Sequence, residues 1–217
     1  MDKKKTVNDK FNYNNIKKLN KNFMYKDLRR SNCYNCDFSG SNFNFASFRG
    51  AQFKSCNFYE VTFDSAEFVA TNLKKSKFKK AKFENTIFDS ANLEGVDFNG
   101  ATFKNVIFVS TDITKAINLN LSDDVKIFEE MPKLEVSNSL QKAAKSAMNN
   151  SFVKAARVLD TKTGAVSPIS MMILLENFEE ETLIKGLGII EENLDKDFCT
   201  LSYIIKTLQK YKEEGIL

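Results

Sequence analysis

Histidine and tryptophan are absent from this chain, and proline occurs only twice. Without histidine, the Ser-His-Asp and Cys-His arrangements of nucleophilic enzymes are excluded, together with the commonest general base. No apolar run approaches the ~20 residues that a transmembrane helix needs, and no apolar segment follows the basic start as in a signal peptide. The sequence therefore predicts a non-enzymatic protein with no membrane span and a cytoplasmic location.

The chain is rich in phenylalanine, and the phenylalanines recur every five residues. From Leu28 to Ile113 each fifth position is large and apolar or a cysteine, and thirteen of these eighteen positions are Phe. A second series, two residues earlier, runs from Ser31 to Thr111 and holds only small or β-branched residues. The core that these series predict comprises Phe38, Phe43, Phe48, Phe53, Phe58, Phe63, Phe68, Leu73, Phe78, Phe83, Phe88, Leu93, Phe98, Phe103, Phe108 and Ile113.

A period of five fits neither a helix nor a flat strand. On an α-helix the series would spiral around the whole surface, because five residues exceed one turn. On a flat strand an odd period would send successive Phe side chains to opposite faces. The series can face one interior only if the chain bends once per repeat and closes on itself, which is typical of a solenoid.

The units Ala91-Asn92-Leu93-Glu94-Gly95 and Val96-Asp97-Phe98-Asn99-Gly100 resemble those of the pentapeptide-repeat family. The resemblance covers about residues 23 to 118 and implies a right-handed quadrilateral β-helix with four pentapeptides, or twenty residues, per coil. Residues spaced by twenty agree with this coil length, because similar residues recur at that spacing and would form columns along the solenoid. One column predicts a side-chain ladder and consists of Asn32, Gln52, Asn72, Asn92 and Asp112. A second column predicts stacked rings and consists of Phe38, Phe58, Phe78 and Phe98.

The four cysteines suit a reduced compartment. Cys33 and Cys36 form a C-x-x-C, and Cys56 lies one coil after Cys36. A metal or redox site is one interpretation, and small apolar side chains at inward positions are the other. A closed zinc site needs four ligands, and Cys199 is distant in sequence, so we expect no metal and no cofactor. Under oxidising conditions, Cys36 and Cys56 would be the pair near disulfide geometry.

The five-residue phase ends at Asn118, and helical signals follow. The expected domains are a basic arm or cap over residues 1–22, the β-helix over 23–119 and an α-helical domain over 120–217. Ser122 is expected to open a short helix, a longer one is expected from about Leu134 to Thr163, and Ser167 precedes Pro168 as an N-cap. Asn177 and Glu180 resemble a capping box, and Asp195 is expected to start a last helix.

The net charge of each segment indicates which kind of partner the protein could bind. Residues 1–22 carry a net charge of +5, residues 23–119 carry +3, and the remainder carries −4. The best-characterised family members protect DNA gyrase as acidic rods that imitate duplex DNA, which requires a continuous negative surface. This chain departs from that pattern because its solenoid is mildly basic, has no loop inserted between coils, and is followed by a helical domain.

The densest basic run occupies outward positions from Lys74 to Lys82. Ion pairs between successive coils are expected to join Lys74 with Glu94, Lys77 with Asp97 and Lys80 with Glu60. That pairing leaves Lys75, Lys79 and Lys82 as the candidate face for an anionic partner. Nucleic acid itself is not expected, because the patch is irregular and only Tyr59 lies beside it.

Ile87, Ile107 and Val109 also fall at outward positions, near the C-terminal end of the repeats. Such apolar residues need a cover, either the chain's own helical domain or a second copy in a homodimer. The function expected from the sequence is presentation of rigid β-helix faces to a protein partner. The first alternative is modulation of a type II topoisomerase, DNA gyrase, and a weaker one is binding of an anionic surface or nucleic acid through the Lys74–Lys82 face.

Overall fold

The computed structural model describes residues 11–217, which form two compact units, one ending at Ile127 and the other running from Phe128 to Leu217. The first unit is a β-solenoid of about six turns. Its short strands are β1 (Asn12–Asn14), β2 (Asn32–Tyr34), β3 (Gln52–Lys54), β4 (Thr62–Asp64), β5 (Glu67–Val69), β6 (Lys82–Glu84), β7 (Ile87–Asp89), β8 (Thr102–Lys104), β9 (Ile107–Val109) and β10 (Lys126–Phe128).

Parallel pairing joins strands that lie twenty residues apart, in six pairs along the described coils. Asn32 is in register with Gln52, Phe63 with Phe83, and Phe88 with Phe108. The predicted coil of four pentapeptides is therefore confirmed. It creates four faces, which we name after the order of the pentapeptides in a coil. Face 1 contains β1, β2 and β3; face 2 is joined only by isolated bridges such as Lys77 with Asp97; face 3 contains β4, β6 and β8; and face 4 contains β5, β7, β9 and β10.

Phenylalanine rings fill the interior in columns. The rings of Phe38, Phe58, Phe78 and Phe98 stack at centroid separations of 5.4, 4.7 and 5.4 Å, as the sequence predicts. All the predicted core residues are buried except Ile113, which is half-buried because it lies in the 3-10 turn Ile113–Lys115 of the last coil. Burying a Phe side chain contributes about 1.5–3 kcal/mol, so these columns are the main stabilising feature of the solenoid.

Hydroxyl groups of the small-residue series are satisfied across coils. Thr71 Oγ1 donates to the carbonyl of Phe48 at 2.8 Å, Ser76 Oγ to that of Phe53 at 2.7 Å, and Thr111 Oγ1 to that of Phe88 at 3.1 Å. Each of these carbonyls lies twenty-three residues before its donor. Buried polar groups therefore link successive coils instead of weakening the core.

The predicted side-chain ladder is wrong at Asn72, Asn92 and Asp112, whose side chains form other hydrogen bonds. Asn72, Asn92 and Asp112 accept from the backbone N–H two residues further on, at 3.1, 3.0 and 3.1 Å, and so stabilise their own turns. Amide-to-amide bonds between coils occur instead at the corners, as between Asn35 and Asn15 at 2.8 Å. The reason is that an Asn side chain reaches its own turn more easily than the next coil.

Residues 11–22 run along the first coil: Asn12–Asn14 pairs with β2, and Lys17 bridges to Asp37. Of the expected arm or cap over 1–22, residues 1–10 lie outside the described residues. At the other end, the helix expected to open at Ser122 is not formed. Ser122 Oγ donates to the carbonyl of Phe103, and Asp124 Oδ2 accepts from the N–H of Asn105 at 2.6 Å, so these side chains cap the last full coil.

The second unit contains α1 (Asn138–Ala147), α2 (Ser151–Ala156), α3 (Pro168–Asn177), α4 (Glu180–Asn193) and α5 (Leu201–Glu213) around its own apolar core. Ser167 caps α3, with Pro168 at its first turn, as predicted. The capping box is wrong, because Glu179 precedes α4 and makes no side-chain cap. The last helix begins at Leu201 rather than Asp195.

The single helix expected from about Leu134 to Thr163 is broken at Asn150. Its Oδ1 accepts from the N–H groups of Phe152 and Val153, at 2.9 and 3.4 Å, and so caps α2. Its Nδ2 donates to carbonyls at the end of α4, among them that of Leu194 at 3.0 Å. One side chain therefore satisfies two helix ends.

Every fifth residue from Asn15 to Ser110 has a left-handed backbone, with φ between 47° and 70°. This conformation costs an ordinary side chain roughly 1–2 kcal/mol, and only Gly adopts it freely. None of these twenty corner residues is β-branched. The corners, not only the core, therefore restrict the sequence.

Ala70 tests the corner rule, because it is exposed and has a φ of 50°. We expect Ala70→Gly to be neutral or to raise the free energy of unfolding by up to about 1 kcal/mol, and Ala70→Val to lower it by about 1–2 kcal/mol. Urea unfolding of the two variants measures the difference. A valine variant as stable as the glycine variant would contradict the assignment of strain to the corners.

Candidate functional site

The interior of the solenoid is occupied by its own side chains. The largest fully buried residues of the chain are all phenylalanines of the repeat series. Among residues 11–217, no group of three or more His, Cys, Asp or Glu side chains could hold a metal ion. The outer surface is therefore the part of this unit that is accessible to other molecules.

The three cysteines of the repeats belong to this packed interior. Cys33, Cys36 and Cys56 are buried, and all are free thiols. Burial raises the pKa of the Cys33 thiol strongly and that of Cys56 to about 12. Cys36 Sγ lies 3.4 Å from the carbonyl of Tyr13, and Cys56 Sγ lies 3.6 Å from that of Cys33. As neutral thiols Cys33 and Cys56 act as small core side chains, because the thiolate is the reactive form.

The three lysines of the candidate anionic-partner face do not share a face. Lys75 lies at the corner between faces 1 and 2, Lys79 lies on face 2, and Lys82 is the first residue of β6 on face 3. All three are exposed. The basic run therefore follows one coil as a belt over faces 1 to 3. That these three lysines bind an anionic partner stays a prediction.

Salt bridges between coils neutralise part of this lysine belt. The expected pairs form between Lys74 and Glu94 at 2.7 Å and between Lys80 and Glu60 at 3.5 Å. Asp97 was expected to pair with Lys77, its neighbour in register, but binds Lys79 at 3.2 Å. Lys75, Lys77 and Lys82 are left with no carboxylate within salt-bridge distance in the described part of the chain.

Tyr59 is an aromatic residue beside the belt, and its ring and hydroxyl contact Lys80. The Lys80 ammonium lies 5.3 Å from the centre of the Tyr59 ring and donates to its hydroxyl at 3.1 Å. These contacts with Tyr59, followed by those with Glu60, raise the pKa of Lys80. Lys80 is thus already engaged within the protein, which lowers its availability to a partner.

The apolar residues at outward positions differ in exposure. Ile107 and Val109 are buried, with 4% and 0% of their surface exposed, whereas Ile87 is half-buried. They lie on β7 and β9 of face 4. A second copy would therefore gain almost no apolar area by contacting Ile107 or Val109, and a dimer through this patch stays a hypothesis.

No helix in the described part of the chain combines the length and apolar character needed to cross a bilayer.

Asp97 tests the ion pairs of the belt through the pH dependence of stability. Partial burial by itself raises the pKa of Asp97, but hydrogen bonds from Asn118, Asn99 and Lys79 outweigh this effect and hold the pKa below its ordinary value. Its stabilising contribution should therefore be fully present above about pH 4 and lost as the pH falls through the lowered value. We expect Lys79→Gln to destabilise the protein at neutral pH, and this destabilisation to shrink below about pH 4.

Chemical unfolding as a function of pH measures this effect, and Lys77→Gln is the matched control because Lys77 forms no salt bridge with any of residues 11–217. A pH-dependent loss of stability in Lys77→Gln, or no pH-dependent loss in Lys79→Gln, would contradict the assignment of the Asp97 ion pair to Lys79.

Comparison with known proteins agrees with this geometry. The family model for pentapeptide repeats (8 copies) matches residues 27–64, 66–105 and 88–117. No curated protein matches the chain at a significant level.

Several solved pentapeptide-repeat structures are similar at low identity. A protein from the thylakoid lumen of Arabidopsis thaliana is 18% identical, with 73% of this chain and 90% of that chain covered and a TM-score of 0.42. HetL from Nostoc sp. strain PCC 7120, involved in regulation of heterocyst differentiation, is 19% identical, with coverages of 51% and 49% and a TM-score of 0.28. QnrB1, a plasmid-mediated fluoroquinolone resistance protein, is 16% identical, with coverages of 54% and 93% and a TM-score of 0.17.

These identities and TM-scores are too low to carry a function from any of the three. The coil of twenty residues, the phenylalanine columns and the family match agree with one another. Residues 27–117 therefore form a run of pentapeptide repeats with the β-solenoid fold of the pentapeptide-repeat family.

Proposed function

We propose that this is a non-enzymatic interaction protein that presents the rigid outer faces of its β-helix to a protein partner. The observation that carries the proposal is the filled interior: from Leu28 to Phe108 the inward positions are buried, except Ala101, which is half-buried, and inward hydroxyls such as those of Thr71 and Thr111 bond to neighbouring coils. A solenoid of this kind offers a partner its surface. Members of the family are generally structural or interaction proteins, which supports the same conclusion.

Rigidity is the physical advantage of such a surface. Side chains in one column repeat at the ~4.8 Å spacing of paired strands, and the stacked rings hold the backbone beneath them. Binding to a preorganised surface loses less conformational entropy than binding to a mobile one. Selectivity would then depend on which side chains occupy each face.

Face 1 offers the best candidate anchor. Tyr34 on β2 is 50% exposed, and its column continues with Lys54 and Lys74. Tyrosine is among the residues that dominate binding energy in protein interfaces. We therefore place Tyr34 first among the candidate contact residues for a protein partner.

Four variants test this proposal, each with alanines at the exposed outward positions of one face. A partner captured with the wild-type chain is identified by mass spectrometry, and its binding is then measured by calorimetry against each purified variant. We expect one face variant, with face 1 first, to lower the affinity at least tenfold, since contact residues at an interface centre contribute about 1.4 kcal/mol or more. Thermal unfolding serves as the control for intact folding. Unchanged affinity in all four variants would contradict recognition by the β-helix faces.

The main alternative is modulation of DNA gyrase as a DNA mimic. A mimic needs a continuous negative surface, and here the carboxylates of the faces are interleaved with cations, as in the pairs Lys104–Glu84 and Arg49–Glu67. We therefore expect no inhibition of gyrase supercoiling and no protection from a quinolone. Either effect would make the alternative the leading function.

The weaker alternative is an anionic partner at Lys75, Lys79 and Lys82. The belt geometry and the Lys79–Asp97 ion pair make it less favourable, because the uncompensated charges lie on different sides of one coil.

A further inference from the structure

The first described coil is the most cationic part of the solenoid. Residues 11–30 contain six lysines and arginines and a single acidic residue, Asp27. The next coil, residues 31–50, contains one arginine and one aspartate. The net charge of +5 (six cations and one acid) exceeds that of the lysine-belt coil, residues 71–90, which is +4 (six cations and two acids).

Among the described repeats from residue 11 to residue 118, lysines occupy inward positions in this coil alone. Lys18 falls in the phase of the large apolar series, and Lys21 and Lys26 fall in the phase of the small one. Lys21 and Lys26 are exposed, although the residues one coil further on, Ser41 and Ala46, are completely buried. An ammonium group cannot be buried without a partner at acceptable cost. Exposed lysines at inward positions therefore mark the end of the described coils, and inward-pointing charges of this kind oppose the stacking of a further coil.

Much of this charge is not neutralised within the protein. Arg29 is paired with Asp27 at 2.6 Å. By contrast, the described chain places no carboxylate within salt-bridge distance of Lys17, Lys21 or Arg30. Partial burial raises the pKa of Asp37, but hydrogen bonds from Ser39 and Asn57 and the charge of Lys17, its neighbour in register, lower it, so Lys17 is partly compensated without a salt bridge.

Exposed apolar side chains lie among these cations. Leu19 is 42% exposed between Lys18 and Lys21, and Tyr25 is 56% exposed beside Lys26. The Tyr25 ring stacks on Phe45 at 4.9 Å, which holds it in place at the corner. Cations next to exposed leucine and tyrosine match an anionic bilayer surface, where cations meet headgroups and the apolar side chains enter the interface. A single-stranded nucleic acid would favour several stacking aromatics, and Leu19 cannot stack.

We propose that the first coil, residues 11–30, is a docking surface for an anionic lipid bilayer, on which the protein binds peripherally and reversibly. The net charge provides the attraction, and Leu19 and Tyr25 provide a smaller contribution that depends less on salt. The rest of the rod then extends away from the bilayer with its faces available.

Vesicle co-sedimentation tests the proposal with the full chain, using phosphatidylcholine vesicles with and without phosphatidylserine. We expect binding only with phosphatidylserine, and release at high salt because screening shortens the range of the attraction. The variant Lys17→Gln/Lys21→Gln should bind about twentyfold more weakly, since each lysine near an anionic surface contributes roughly a factor of five. Leu19→Ser should weaken the fraction of binding that persists at intermediate salt.

The matched control is Lys75→Gln/Lys82→Gln, which removes the same charge from exposed positions three coils away. We expect it to change vesicle binding less than threefold. Equal losses in the two double variants would overturn the localised surface and indicate a general charge effect. Absence of binding to phosphatidylserine vesicles at low salt would also overturn the proposal. A third result would also overturn it: the protein fails to bind vesicles but binds a single-stranded oligonucleotide, and Lys17→Gln/Lys21→Gln loses that binding. The same cations would then serve a nucleic acid.

Discussion

The structure of the first unit depends on the stacking of one ring upon another in an interior of fixed width. Each coil brings four large side chains inward, and each must lie on the side chain twenty residues before it, as the Phe63 ring lies 5.0 Å from that of Phe83. A smaller residue would leave a cavity, and a larger one would force the strands apart. The five-residue period, the four faces and the small inward partner residues all follow from this constraint.

Because the interior is determined so strictly, the outward positions are free to vary. The consequence is visible from coil to coil: the first coil is strongly basic, the coil of the lysine belt is basic again, and the coils between them are neutral or acidic. Charges on adjacent coils pair where side chains can reach, as for Lys74 and Glu94. Function in this fold is therefore expected to depend on columns and coils of surface side chains, and not on a pocket.

The sequence predicted the solenoid because Phe and its small partner repeat without a break, and each unit adds the same information. It did not predict the left-handed corners, although the lack of β-branched residues at every fifth position was a usable signal. The choice of Lys79 over Lys77 as the partner of Asp97 depends on side-chain reach, which register alone does not specify. The helix break at Asn150 depends on carbonyls some forty residues away in α4, and no local pattern reveals them.

The most direct test of the account is to delete one coil, residues 51–70, and to compare that variant with one lacking residues 51–69. Removal of twenty residues leaves every later side chain on its original face, since partners lie twenty residues apart. Removal of nineteen shifts the inward series by one position and exposes the rings. We predict that circular dichroism and urea unfolding will show a cooperative fold for the first variant and a loss of several kcal/mol or no cooperative transition for the second. Equal stability of the two deletions would contradict the claim that ring stacking determines the register.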